Sequence, residues 1–196
     1  MKTETPALLV IDVQKIYTEP GSELFCADSD KTVERINQLI QVFSRARNPI
    51  FFIRHMHARD GSDLGRMFDF AGPAEEFNFK EGSQQVKYPP SLKRPRGVAE
   101  IIKHRYSAFQ GTDLHKRLRT LKVKRVVICG FMTNFCCDTT ARAAHDRDYF
   151  VNFVTDATGC PDLPGMPQDE IRRVVSTLLG AGFATVVSTS DYLIDG

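Results

Sequence analysis

The stretch Val126-Val127-Ile128-Cys129-Gly130, followed at once by Phe131-Met132-Thr133-Asn134-Phe135-Cys136-Cys137-Asp138-Thr139-Thr140-Ala141-Arg142, reads as a buried strand running into a helix. The β-branched apolar run has no polar face, as in a strand covered on both sides. It ends at Gly130, after which capping residues and a cysteine pair fall in the first turn of the next helix. Working outward, the same alternation recurs. Strands are predicted at Ala7 to Val13, Ile50 to Ile53, Ala99 to Lys103, Lys124 to Gly130, Phe150 to Thr155 and Ala184 to Val187. A helix from about Lys31 to Arg47 carries Val33, Ile36, Ile40 and Phe43 on one face and stops at Asn48-Pro49. Further helices are predicted at about Asp113 to Leu121, Asn134 to Arg147 and Gln168 to Leu179, the last preceded by Pro167 and closed by Gly180 or Gly182. Such alternation specifies an α/β fold, a three-layer doubly wound sheet of six parallel strands in the order 3-2-1-4-5-6 with helices on both faces.

Composition bounds the setting. The 196 residues, 42% of them hydrophobic, are enough for one domain over 1–196 that buries roughly 70% of its unfolded surface. The one irregular stretch, about residues 55–97, is too long for a simple connection and suggests a lid, a binding loop or an oligomer contact. A net charge of +2 from 26 basic and 24 acidic side chains spread along the chain gives no field for nucleic acid or an anionic membrane, and Lys93-Arg94-Pro95-Arg96 reads as a solvated loop. No apolar run reaches the roughly 20 residues of a membrane helix. Met1-Lys2-Thr3-Glu4-Thr5 lacks the regions of a signal peptide, so a cytoplasmic location is expected. Five cysteines, without repeated metal-type spacing, point to reduced thiols.

In this kind of sheet the ligand sits beyond the carboxyl ends of the strands, where strand order reverses. The first strand delivers Asp12 there, the third delivers Lys103 and the fourth delivers the helix bearing Cys136. Unpaired N–H groups and the dipole at a helix start favour thiolate over thiol, which makes Cys136 a candidate nucleophile; a cysteine packing the strand–helix junction is the other reading. A carboxylate to take the thiol proton and an ammonium to favour the charged forms would complete a nucleophilic set, against the alternative of a purely structural Asp12–Lys103 ion pair. Helix phase separates the two neighbouring cysteines. Cys137, Thr140, Ala141 and Ala144 share a small-residue face suited to packing on the sheet, and Cys136 lies about 100° away. Cys129 reads as core; Cys26 and Cys160 lie in loops.

Three separated segments, Leu8-Leu9-Val10-Ile11-Asp12-Val13-Gln14, Lys103-His104-Arg105-Tyr106-Ser107-Ala108-Phe109 and Gly130 to Cys136 continuing through Thr140-Ala141-Arg142, resemble the isochorismatase-like cysteine hydrolases. That superfamily includes nicotinamidase, carbamoylsarcosine amidohydrolase and ureidoacrylate hydrolase. The resemblance implies Asp12 as base, Lys103 as its charged partner and Cys136 as nucleophile. It also implies a cis peptide between Phe131 and Met132, which turns the backbone N–H groups of Met132 and Cys136 into an oxyanion hole. The activity implied is hydrolysis of a non-peptide C–N bond in a small amide, ureido or imide substrate through a thioester. Members that cleave the vinyl ether of isochorismate lack the thiol; that activity, and a non-catalytic oligomeric member, are the alternatives. A thiol redox protein is disfavoured by the absence of Cys-x-x-Cys.

Gln14, Phe25, Tyr106 and Phe109 are the expected substrate-binding side chains, with core packing as the alternative for the aromatics. Arg54, His55, His57 and Arg105 are candidates for holding a substrate carboxylate, or are surface charges. Nicotinamidases carry Asp-x-His after the second strand plus a further His, and these bind a metal. Here Arg54-His55-Met56-His57 puts His in the Asp place and no His follows before His104, so no metal and no cofactor is expected. The expected partner is a small-molecule substrate, with the chain assembling as a homo-oligomer, a dimer or tetramer.

Overall fold

The computed structural model describes residues 5–67 and 77–193. Six parallel strands, β1 (Pro6–Ile11), β2 (Ile50–His55), β3 (Ala99–Lys103), β4 (Arg125–Phe131), β5 (Phe150–Gly159) and β6 (Thr185–Val187), form one sheet in the order β3-β2-β1-β4-β5-β6. The intervening helices are α1 (Lys15–Thr18), α2 (Ser29–Arg45), α3 (Leu114–Thr120), α4 (Asp138–His145), α5 (Gln168–Gly180) and α6 (Ser190–Leu193), with a π-helical turn at Thr133–Cys137 ahead of α4. The predicted α/β class and strand order are those observed. Among the described residues no helix is long and apolar enough to cross a membrane; Met1 to Glu4 lie outside them.

The central strands are apolar because both faces are covered. Ala7 to Ile11 are at most 1% exposed, and Val126 to Cys129 are fully buried. α2 packs the predicted stripe Val33, Ile36, Ile40 and Phe43, with Leu39 added. Cys137, Thr140, Ala141 and Ala144 are all buried, as the helix phase requires, and the Thr140 hydroxyl accepts a hydrogen bond from the Ala108 amide.

Among the boundaries that depart from the sequence reading, three set the path of the chain at the ligand end. β1 stops at Ile11 instead of Val13 because Asp12 adopts a left-handed backbone, φ 49°. The turn sends the chain into α1, a short helix that periodicity does not reveal. β5 runs on to Gly159, because a register shift after Ile128 lets Gly130 and Phe131 pair with Thr158 and Gly159. The predicted start of the helix after β4 is instead the π turn, in which the Cys137 amide donates to the Met132 carbonyl five residues back.

The stretch between β2 and β3 folds back over the ligand end of the sheet. Its described part bonds to the β2 end through a bridge between His57 and Lys80, and reaches α1 through the Lys15 and Ile16 amides, which donate to the Lys87 and Gln85 carbonyls. Arg94 lies over the rings of Phe52 and Tyr88, tying the return path to the sheet. Residues 68–76 of this excursion lie outside the described residues.

Gly130 makes the closest strand contact. Its φ is +127°, and a Cβ there would stand 1.9 Å from the Ile11 carbonyl oxygen, on the strand residue before Asp12. Gly130→Ala is therefore expected to destabilise the fold by about 3 kcal/mol or more, a drop of about 10 °C in a chain this long, read by thermal melting. An unchanged melt would show that β1 and β4 are not held this close.

Candidate active site

Parallel pairing brings the expected residues to one place. His55 is in register with Lys103 across β2 and β3, and Ile11 is flanked by Ile53 and Gly130, so the chain ends of β1 to β4 meet at one height. Lys103 Nζ lies 2.8 Å from Asp12 Oδ2 and 3.2 Å from Cys136 Sγ, and it donates a third bond of 3.0 Å to the Arg105 carbonyl oxygen. A carboxylate, a thiol and a carbonyl oxygen thus surround the ammonium. Asp12 and Lys103 are fully buried and Cys136 is 2% exposed, a more enclosed position than an open crevice. The Lys103–Asp12 contact lies off the hydrogen-bond direction, so neither Asp12 oxygen has a well-directed donor among the described residues. The peptide between Phe131 and Met132 is cis.

The electrostatics correct the idea that the helix start activates the thiol. Burial pushes the Cys136 thiol up to about 12, against the pull of the Lys103 ammonium. Burial also raises the Asp12 carboxyl, opposed by Lys103. For Lys103, burial works against the charge, yet Asp12 and Cys136 outweigh it and hold the ammonium protonated. The resting site is therefore a neutral thiol beside a charged lysine.

The other candidates divide. Tyr106 is 39% exposed and its ring lies 5.2 Å from that of Phe135, the residue before Cys136, forming an aromatic lip that the sequence only half revealed. Gln14 is fully buried, and its side-chain amide donates to the His55 carbonyl and accepts from the His55 amide, both at 2.9 Å. Both ends of its amide are consumed in holding β2 to β1. Phe109 is also corrected: it is buried against Tyr149 with Arg147 over its ring, away from the site. Phe25 is half-buried in the loop after α1, where its amide donates to the Ser22 carbonyl. Arg54 pairs with Glu100 at 3.1 Å, and Arg105 donates to the Asp63 and His104 carbonyls, so both are committed to the protein itself. Sequence reasoning missed Tyr17, whose ring stacks on Phe131 at 5.3 Å, and Phe79, stacked on His55 at 4.5 Å.

Two groups of side chains bring ligand-type atoms within 4.8 Å of one another: Asp12, His55 and Cys136, and His57, Asp63 and His104. Asp63 and His104 were not foreseen beside His57, because loop geometry brings them there. The first group already surrounds the Lys103 ammonium. In the second, His57 Nδ1 meets Asp63 Oδ1 at 3.0 Å, and His104 Nδ1 meets the Met56 carbonyl at 2.7 Å and Asp63 Oδ2 at 2.9 Å. A ring nitrogen that donates its proton has no lone pair for an ion, but His57 and His104 each keep Nε2, as metal-ligating histidines usually do. The Nε2 atoms of His55 and His57 face each other at 2.9 Å, about the separation of two nitrogens held at right angles on one ion. A separate cleft lined by Pro49, Phe51, Val98, Lys116 and Thr120 lies at the opposite, amino-terminal end of β2 and β3.

Comparison with known proteins places this geometry. The isochorismatase domain model matches residues 6–191. Nicotinamidase 3 of Arabidopsis thaliana is 30% identical over 92% of this chain and 83% of its own length. The ureidoacrylate amidohydrolase RutB of Methylorubrum extorquens is 25% identical over 87% of this chain and 76% of its own. Among solved structures, a cysteine hydrolase from Pseudomonas syringae pv. phaseolicola superposes with a TM-score of 0.90 at 29% identity, covering 95% of this chain and 90% of that one.

A thiol raised to about 12 reacts slowly as the free protein. Iodoacetamide labelling of Cys136, followed by peptide mass spectrometry, is expected to be slow at pH 7 and still to be rising at pH 10, past the point where an ordinary thiol levels off. A rate already at its plateau by pH 7 would show a resting thiolate instead.

Proposed function

The chain belongs to the isochorismatase family, and on that premise we propose that it is a cysteine-dependent hydrolase that cleaves a C–N bond of a small amide, ureido or imide substrate through a thioester on Cys136. The observation that carries this reading is the Lys103 ammonium held at 2.8 Å from Asp12 and 3.2 Å from Cys136 in a fully buried setting. The nicotinamidase and ureidoacrylate amidohydrolase relatives, both enzymes named for amide substrates, support the bond type.

The steps follow from the geometry. With substrate bound, Asp12 accepts the Cys136 proton as sulfur attacks the carbonyl carbon, and Lys103 compensates the charge leaving the thiol. The carbonyl oxygen becomes an oxyanion that the backbone N–H groups of Met132 and Cys136 receive, donors worth about 3 kcal/mol each in comparable sites. The C–N bond breaks as Asp12 returns the proton to the departing nitrogen. Water then attacks the thioester, Asp12 takes its proton, and the acid leaves as Cys136 is reprotonated. Tyr106 and Phe135 flank the entrance, where a planar acyl group can lie against them.

Cys136→Ala is expected to abolish ammonia release from a panel of small amides, ureido acids and nicotinamide while the protein still folds. Cys137→Ala is expected to keep turnover and lose about 1 kcal/mol of stability, a shift of about 2–4 °C, because its sulfur only fills the core. A dead Cys137→Ala beside an active Cys136→Ala would reverse the assignment of the nucleophile.

A further inference from the structure

Two of the three groups around the Lys103 ammonium are reacting groups, Asp12 at 2.8 Å and Cys136 at 3.2 Å; the third is the Arg105 carbonyl oxygen at 3.0 Å. When Asp12 takes a proton and the sulfur becomes a thioester, both lose their hold on the charge. The carbonyl does not change, so of these three it alone keeps the ammonium in place through a turnover. Residues 104–107 form a bend that belongs to no helix or strand, so no ladder sets the direction of that carbonyl.

The side chain of the same residue sets it. Half-buried Arg105 donates through Nη1 to the Asp63 carbonyl at 2.8 Å and to the His104 carbonyl. Its other amino group lies so close over Gly65 that a Cβ there would stand 2.2 Å from Nη2. Asp63 and Gly65 belong to the outgoing limb of the excursion after β2, residues 58–67. The limb is firm where Arg105 grips it. Asp63 accepts from the Ala58 amide at 3.0 Å, the Leu64 and Met67 amides close turns onto the Gly61 and Leu64 carbonyls, and the Leu64 and Met67 side chains are buried. One residue therefore holds the excursion with its guanidinium and the ammonium with its carbonyl.

We propose that Arg105 is a positioning residue for Lys103, through which turnover is made conditional on the seating of the 58–67 limb; the inference rests on the reading of Asp12, Lys103 and Cys136 as the reacting set. With the limb seated, the guanidinium fixes the bend and the carbonyl meets the ammonium. With the limb displaced, the bend is released and Lys103 is left to two partners that the reaction itself neutralises. Gly65 is the seat: at this position a side chain of any size pushes the guanidinium away from the limb.

The test uses the full chain labelled with 15N-lysine. At pH 7.5 the ammonium protons of exposed lysines exchange too fast to be seen, and Lys103 is the one buried lysine among the described residues, so the unaltered protein is expected to give a single sharp ammonium signal. Gly65→Ala displaces the guanidinium without removing it; it is expected to broaden this signal beyond detection and to lower kcat about tenfold, with KM changed less than about threefold. Gly97 is equally left-handed, with φ +73°, but a Cβ there would meet nothing within 4 Å, so Gly97→Ala is expected to keep both signal and rate. Arg105→Ala is expected to lose as much as Gly65→Ala, and the double variant no more than either, because all three break one contact. No ammonium signal in the unaltered protein, a full rate or an intact signal in Gly65→Ala, equal losses in Gly97→Ala, or losses that multiply in the double variant would each overturn the proposal. If the Arg105 variants do not fold, the two glycine variants decide. If the unaltered protein hydrolyses no amide, the functional reading fails while the Lys103 signal in the same variants still judges the coupling.

Discussion

Everything at the ligand end depends on burying one ammonium. An isolated Lys at full burial would discharge. Lys103 keeps its proton because Asp12, Cys136 and the Arg105 carbonyl converge on it. That convergence requires β1, β3 and the chain beyond β4 to end at one height, with β2 between the first two. Sheet register is therefore part of the site's electrostatics. A slip of one residue in β3 would turn Lys103 to the other face and leave a carboxylate and a thiol buried without compensation.

The same burial explains why the thiol is weak at rest. A helix start and a neighbouring lysine both favour thiolate, and sequence reasoning can set against them only the chance that the cysteine packs the strand–helix junction. In the folded protein the loss of water is the larger effect, and the sulfur stays protonated. Local dipoles are legible in a sequence; the depth at which a segment lies is not. On the proposed mechanism, reactivity then belongs to the occupied site, where substrate supplies the carbonyl that makes proton transfer to Asp12 worthwhile.

The fold was readable because both faces of the sheet are covered, which leaves apolar runs such as Leu8 to Ile11 and Val126 to Ile128 with no competing interpretation. Asp12, Lys103 and Cys136 were readable for the same reason, as polar residues at the tips of such runs. What could not be read is whatever depends on a side chain's partner. Gln14 has the position of a pocket residue, yet its amide continues the β1–β2 ladder through His55. Phe109 follows Lys103 closely, but turns to Tyr149. Asp63 and His104 reach His57 from two different loops, so no spacing connects them. The π turn at Thr133–Cys137 obeys a hydrogen-bond choice made by the Met132 carbonyl rather than any apolar period.

The backbone of Asp12 limits what this protein can become. At φ 49° the residue occupies the left-handed region, which glycine enters freely and, among residues with side chains, asparagine and aspartate most readily. The proposed chemistry asks for a carboxylate, which only aspartate and glutamate supply. The two requirements overlap in a single amino acid. Drift to glutamate would keep the acid and lose the turn; drift to asparagine or glycine would keep the turn and lose the acid. At this position heredity has one permitted letter, chosen jointly by a dihedral angle and a proton.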